Sequence, residues 1–573
     1  MSKEFKGQVN LYANQPQDSK EGATRRIGFN LSGPIIQDTL GFRIYGNLNK
    51  TDADAADINA GHGNDSAAGV EGVRNKDIAG RLQWKISPAQ TLILDSSYSR
   101  QGNIYNGDTQ NSNPRSALVN SLADSKAETA RLYRSAYSLT HDGAWEWGDT
   151  KNVISYERTV NSHLPEGLAS GPEGSYTGLD FVQSRLKNLR FSSEANIPFK
   201  LGVDNVLTVG AEFTDSKLDD PTSNSQSLTD TIPGKPPRKV VNIFSGVSEH
   251  RSGKTSQRNW AAYVEDNISL TDKTHLIPAI RFDHNSASGS NWSPALNFSH
   301  QIGENWLVKG GIARAYKAPN LYQTNPDFIL YTRGQGCPLN APNSVRCYYM
   351  GNSNLKPETS INKEIGLEFN KNGWQASATY FHNAYRNKIV IGDRLIATSN
   401  IDDNWLLQWE NTPKATISGI EGNLVIPLHD TLKWSNNFTY MHKSEDYQGN
   451  PLSLVPKHTI NSTLSWTPNE HFDANLTFTH YGRTKPRGVA INRLERDGNP
   501  GAGITPLTSE HNQTQVGSYG IWGINAGYNW NKRVAVRGGI SNLFDKKLYR
   551  TTAGAQTYNE HGRAFYGSLK VLF

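Results

Sequence analysis

The feature that most constrains this chain is a two-residue alternation of apolar and polar side chains that starts almost at once. Phe5, Gly7, Val9 and Leu11 alternate with Lys6, Gln8, Asn10 and Tyr12. Ile27, Phe29 and Leu31 then alternate with Arg26, Gly28 and Asn30. Phe42, Ile44, Gly46 and Leu48 do so with Arg43, Tyr45, Asn47 and Asn49. A period of two puts one set on each face of a β-strand. A strand with one face to lipid and one to water has this pattern, and scores as polar in any window average. The mean hydropathy is −0.62, and no apolar run reaches the roughly 18–20 residues of a membrane helix. Those totals alone would suit a soluble enzyme. The 13 Trp, 24 Tyr and 19 Phe favour a membrane barrel, because amphipathic rings suit the membrane–water interface.

The connections between alternating segments are of two kinds. Short ones fall at 35–40, 87–90, 143–149, 198–204, 271–273, 302–305, 371–373, 427–431, 467–471 and 531–532, where Asp, Asn, Gly and Pro recur as tight turns require. Mostly long, polar ones fall at 13–25, 50–76, 100–130, 159–185, 214–257, 284–291, 315–361, 383–414, 442–458, 482–518 and 545–563. The two kinds alternate, and eleven long loops with ten short turns join 22 strands. The expected fold is all-β: one 22-stranded antiparallel transmembrane β-barrel over residues 1–573, with long extracellular loops and short periplasmic turns. Barrels of this size belong to outer-membrane transporters that hold a plug in the lumen. A propeller would show a repeat of about 40–50 residues, and tandem sandwiches would show domain boundaries. The sequence has neither.

The ends and the charge add detail. Phe565, Gly567, Leu569, Val571 and Phe573 alternate to a terminal aromatic, which resembles the signal read by outer-membrane barrel-assembly machinery. Met1 to Phe5 has no apolar core of a signal peptide, so none is expected within these residues. A net charge of +6, mixed along the chain, offers no concentrated basic patch for nucleic acid. No nucleophile elbow, zinc-protease motif or phosphate loop is present, so no enzyme is expected. Cys337 and Cys347 lie ten residues apart in a polar stretch without further metal ligands nearby. They are read as a disulfide closing a surface loop, as an oxidising compartment allows, adding about 2–3 kcal/mol mostly to local order.

Several motifs carry a family resemblance. Ala313 to Pro319 resembles a strand-to-loop motif of TonB-dependent outer-membrane receptors, and Asn352 to Glu358 resembles the family's N-x-x-L-K-P-E segment. Glu364 to Glu368, Asn542 to Lys546 and Gly562 to Tyr566 follow in family order. Within that family, Asn320 to Pro326, Ile329 to Cys337 and Ser99 to Asn111 are similar to ferric enterobactin receptors of Gram-negative bacteria. The resemblance runs from Phe5 to Phe573 and implies uptake of a ferric catecholate siderophore at the bacterial outer membrane. Family members carry an N-terminal plug with a TonB-binding box before the first strand, whereas this sequence starts at that strand. The expectation is therefore a barrel that works with TonB only if a plug is supplied, the alternatives being an open pore or a docking receptor for bacteriocins or phage. Outer-membrane lipid and lipopolysaccharide are expected around it.

The ligand's chemistry selects candidate residues. A trianionic complex with three catecholate rings needs cations for its charge and planar groups for its rings, and Arg supplies both. The siderophore brings its own iron ligands, so no cofactor or protein metal site is expected. The resemblance assigns binding to Arg333 and Gln335, with Tyr331, Gln101, Tyr105 and Gln110 as further candidates. Lys235, Arg238, Lys239 and Arg251 would form a basic rim that steers the anion inward.

Overall fold

The first strand, Lys6–Pro16, pairs antiparallel with Thr24–Ile36 on one side and with the last strand, Ala564–Leu572, on the other. That second pairing closes the sheet on itself. The computed structural model describes residues 4–573 apart from 63–67, 109–115, 166–175, 177, 222–243, 245–246, 248–250, 333–344, 346, 393, 400–403, 448, 450, 453, 486–514 and 551–554, and gives the backbone alone for 330–332. Among the described residues there are 25 strands. Three of them, Ile329–Thr332, Cys347–Met350 and Ala397–Thr398, form a small sheet within the loops together with the start of the barrel strand Trp405–His429. The remaining 22 make the closed antiparallel barrel. No described helix is long and apolar enough to cross a membrane.

Alternation becomes two surfaces. Phe42, Leu82, Leu94, Leu139, Ile154, Phe191, Phe213 and Trp260 are register partners in turn across eight strands, an unbroken apolar row facing outward. The opposite face is polar and lines the lumen. There Arg81 pairs with Asp95 at 2.6 Å, Arg281 bridges Glu212 and Asp283 at 2.9 and 3.0 Å, and Arg537 meets Asp473 at 2.6 Å. Each such exposed pair contributes little to stability. Together they keep a charged wall close to neutral. Aromatic side chains concentrate at both ends of the apolar band. Trp306 packs on Phe369 at 4.7 Å at the short-turn end, and Phe282 packs on Trp260 and Trp292 at 5.1 and 4.7 Å toward the other. Amphipathic rings at both levels are the girdles of a membrane barrel.

The short turns lie where the sequence places them. A single residue, Gly202 at φ +74°, links Val182–Leu201 to Val203–Asp219. Asn372 and Gly373, both at positive φ, join Glu358–Lys371 to Trp374–Ile391, as the tightest hairpin turns require. The long connections depart from expectation in two ways. The one expected at 284–291 is tight: strand Thr274–Asn285 turns through three residues into Gly289–Ile302. The Asn285 side chain accepts from the backbone N–H of Ala287 and of Ser288, both at 2.9 Å, which folds the turn locally. Elsewhere the strands run farther than the alternation. Trp374–Ile391 and Trp405–His429 penetrate the segment expected as loop 383–414, and His163 and Val182 trim the one at 159–185. About 9–11 tilted residues cross a bilayer, so a strand of 25 residues stands well into water. Both faces are wet there, so pairing continues without an apolar face to mark it.

Candidate ligand-binding mouth

Above the long-loop rim the chain builds a platform rather than free loops. Ile329–Thr332 pairs antiparallel with Cys347–Met350, which runs parallel to the start of Trp405–His429. Its packing is dense: Phe244, Ile329, Tyr348 and Leu406 form one buried cluster, and Cys347, Tyr349 and Leu407 a second. Cys347 is disulfide-bonded and fully buried. Its expected partner, Cys337, lies outside the described residues. Thr332 is the register partner of Cys347 and Tyr331 that of Tyr348, so the binding candidates Arg333 and Gln335 follow directly on a braced strand. Arg333, Gln335, Gln110, Lys235, Arg238 and Lys239 themselves lie outside the described residues.

The other candidates have clear places. Gln101 is exposed on the lumen face near the rim, with Asn75 and Leu132 as register partners. Tyr105 is only 2% exposed. Its ring packs with Val119, Leu122 and Leu164 and meets Tyr176 edge-on at 5.2 Å, while its hydroxyl donates to the Asp108 carbonyl at 2.9 Å. Tyr105 thus anchors the helix Ala117–Asp124, which Ser116 caps through the Val119 N–H. Its ring is closed to the mouth in this conformation. Arg251, expected on a steering rim, is half-buried and donates to the Asp327 carbonyl at 3.3 Å. Burial lowers its pKa and Asp327 opposes the shift. It braces the base of the 318–357 connection.

Three polar junctions that the sequence does not announce hold the mouth together. Glu128, with 9% of its side chain exposed, takes Arg100 at 2.5 Å and Arg131 at 2.9 Å. The Arg100 hydrogen bond, joined by Arg131 against the cost of burial, holds its carboxyl down at about 2. Arg550 reaches Asp108 at 3.1 Å from the far end of the chain. At the barrel seam, Asp54 accepts from the backbone N–H groups of Gly22 and Val70 and meets His561 Nε2 at 3.2 Å. The Asp54 hydrogen bond raises the His561 pKa despite burial. Burial likewise raises that of Glu21, which accepts from the Gly562 N–H at 2.8 Å. Apart from Glu128 and Arg131, three residues apart, the partners are distant in sequence, and only the loop Asp/Glu content hints at them. No group of acidic, His or Cys residues among the described residues could hold a metal ion.

A closed 22-stranded barrel with an apolar belt, a polar lumen and a buttressed set of loops at one rim defines a large transmembrane receptor-transporter of the outer membrane. Comparison with known proteins narrows the class. Residues 62–543 match the TonB dependent receptor-like beta-barrel family, and the chain belongs to the TonB-dependent receptors. It is 47% identical to the ferric enterobactin receptor PirA of Pseudomonas aeruginosa, over 99% of this chain and 74% of that protein. The crystal structure of the siderophore receptor PirA from Acinetobacter baumannii superimposes with a TM-score of 0.89 at 45% identity, covering 100% of this chain and 81% of that one. The ferric enterobactin receptor PfeA of Pseudomonas aeruginosa, at 42% identity and a TM-score of 0.89 over 100% of this chain and 81% of that one, has been solved as an arginine-to-alanine mutant in complex with enterobactin. In a double mutant of the same receptor the replaced arginine and glutamine stand two residues apart. The protein resides in the bacterial outer membrane and is a receptor and transporter rather than an enzyme.

Proposed function

We propose that this barrel takes up a ferric catecholate siderophore of the enterobactin type, gripping it at the loop that follows Thr332. The observation that carries this reading is the disulfide-braced platform whose first strand ends at Thr332, immediately before Arg333 in the sequence. An arginine and a glutamine at the same spacing were the residues replaced in the Pseudomonas receptor. A guanidinium supplies both charge and a planar face to an anionic catecholate. Gln101 faces the lumen below, where a ligand leaving the loops would next arrive. Tyr331 and Gln110 belong to the same grip, and Lys235, Arg238 and Lys239 raise the local anion concentration. Energised transport falls to the barrel working with a plug and TonB.

Tryptophan fluorescence of the folded protein, titrated with ferric enterobactin beside a ferric hydroxamate, tests the reading. Saturable quenching by the catecholate alone is expected, weakened at least about tenfold in Arg333→Ala, as loss of a charged hydrogen-bonding partner implies. Equal quenching by both complexes would remove the ligand class, and an unaffected Arg333→Ala would remove the site.

A further inference from the structure

The outer wall carries a feature that siderophore uptake does not use. A groove of about 720 Å³ lies across the first four strands and the last. Its lower row is apolar: Leu569, Leu11, Ile27 and Leu48 are register partners in turn, and all but the half-buried Leu569 are exposed. These side chains alternate with the polar lumen set, so they face lipid. Two residues nearer the long-loop rim, the next outward row reads Gly567, Ala13, Arg25, Lys50 and Arg74. Gly567 and Ala13 leave the groove open on one side. Lys76, the partner of Leu48, joins Arg25, Lys50 and Arg74 as the four outward-facing cations of the lining, while Arg26, also in the lining, alternates to the lumen side over Tyr12.

This arrangement is costly for a protein standing alone. Arg25 lies opposite Lys50 and Lys50 opposite Arg74, and like charges directly opposed across strands are destabilising. Two acids stand nearby. Asp52 pairs with Lys50 at 2.7 Å, and Glu128 is 3.9 Å from Arg74 but bonded more closely to Arg100 and Arg131. Arg25 and Lys76 make no ion pair with any described residue. A cationic row directly above an exposed apolar row, on the lipid face and toward the outer leaflet, complements a molecule with a phosphorylated head and hydrocarbon chains.

We propose that the groove is a binding site for a phosphorylated lipid of the outer leaflet. Its phosphate would sit among Arg25, Lys50, Arg74 and Lys76, with an acyl chain along Leu11, Ile27, Leu48 and Leu569. A second outward run of cations, Arg158, Lys187 and Lys217, supplies the control. Those residues lie outside the groove, and Lys217 is paired with Asp215 at 3.0 Å.

Native mass spectrometry of the detergent-solubilised protein, with bisphosphorylated lipid A and its dephosphorylated form as probes, tests this. Heat-modifiable gel mobility would certify that each variant is folded. The expected result is retention of the phosphorylated lipid alone, reduced about thirtyfold in Arg25→Gln/Lys76→Gln, in line with the summed contribution of two cations near anionic lipid. Arg158→Gln/Lys187→Gln is expected to bind like the parent, and millimolar inorganic phosphate to displace little. Equal retention of both lipids, unchanged binding in the groove variant, an equal loss in the control variant, or full displacement by phosphate would each overturn the proposal.

Discussion

Glu128 shows how a single side chain can order a loop. It gathers two arginines that would otherwise repel, and it does so with most of its surface covered. Because its pKa is lowered to about 2, its contribution is fully present above the ordinary carboxylate value of 4.5 and is lost as pH falls from there toward about 2. Glu128→Gln should remove that acid-sensitive component and raise amide exchange across 116–129 at neutral pH, by an amount consistent with about 2 kcal/mol for bonds to a charged group. Parent-like exchange in the variant would assign the ordering to Tyr105 and its neighbours instead. His561 has the opposite sign. Asp54 raises its pKa, so the stabilisation is complete below the ordinary value of 6.5 and is lost as pH rises through the higher folded value. Raised by burial, Glu21 acts in the same direction, disfavouring the seam junction as it ionises. Histidine carbon NMR should find the His561 pKa above 6.5 in the parent and lower in Asp54→Asn; an unchanged value would deny Asp54 its part.

Among the elements, the first and last strands carry the closure. The Gly7 N–H donates to the Phe573 carbonyl at 2.7 Å, and Phe573 returns the bond to Gly7 at 2.9 Å. A Cβ at Gly7 would stand 2.2 Å from the Phe573 ring, so the ring covers the glycine and must swing aside for any larger residue. Gly7→Val is therefore expected to destabilise the folded barrel by about 1–3 kcal/mol, the usual cost of overpacking, measured as a lower temperature of the heat-modifiable gel shift. Pairing Gly7→Val with Phe573→Ala should restore most of the loss; if it does not, the strain lies in the strand and not under the ring. The platform strands are elements of another kind. Too short to show a period, they are held by the Cys347 disulfide and by packing against a strand some sixty residues on.

For the whole molecule, the lumen wall sets the expectation. It is lined by ion pairs and polar side chains around the circumference, a surface suited to water or to a polar domain. Cells given only these 573 residues should show siderophore entry that does not depend on the proton-motive force. Collapsing the force with an uncoupler would then leave uptake unchanged, and a strong loss would show that these residues couple to TonB without a separate plug. The lipid-facing wall is uneven in a different sense. One apolar row runs unbroken across eight strands, whereas the wall meets a cationic row at the seam side, where a lipid headgroup is the natural complement.

The alternation alone determined the barrel, its strand number and ten of its turns, because the two faces of each strand meet lipid and water and the side chains record both. The pair of cysteines in a polar stretch without other ligands marked Cys347 for a disulfide, which it forms. Strand ends above the membrane were decided by backbone pairing, which persists in water where no apolar face is required. The tight 286–288 turn depended on the Asn285 side chain meeting the backbone two and three residues on. The sequence offered Tyr105 as a ligand-binding candidate and Arg251 as a steering-rim cation. Only packing decided that one is a loop anchor and the other a brace, because burial is set by residues tens of positions away. The Glu128–Arg100, Asp108–Arg550 and Asp54–His561 pairs belong to the tertiary structure: their partners stand 28, 442 and 507 positions apart, and no local pattern carries that distance.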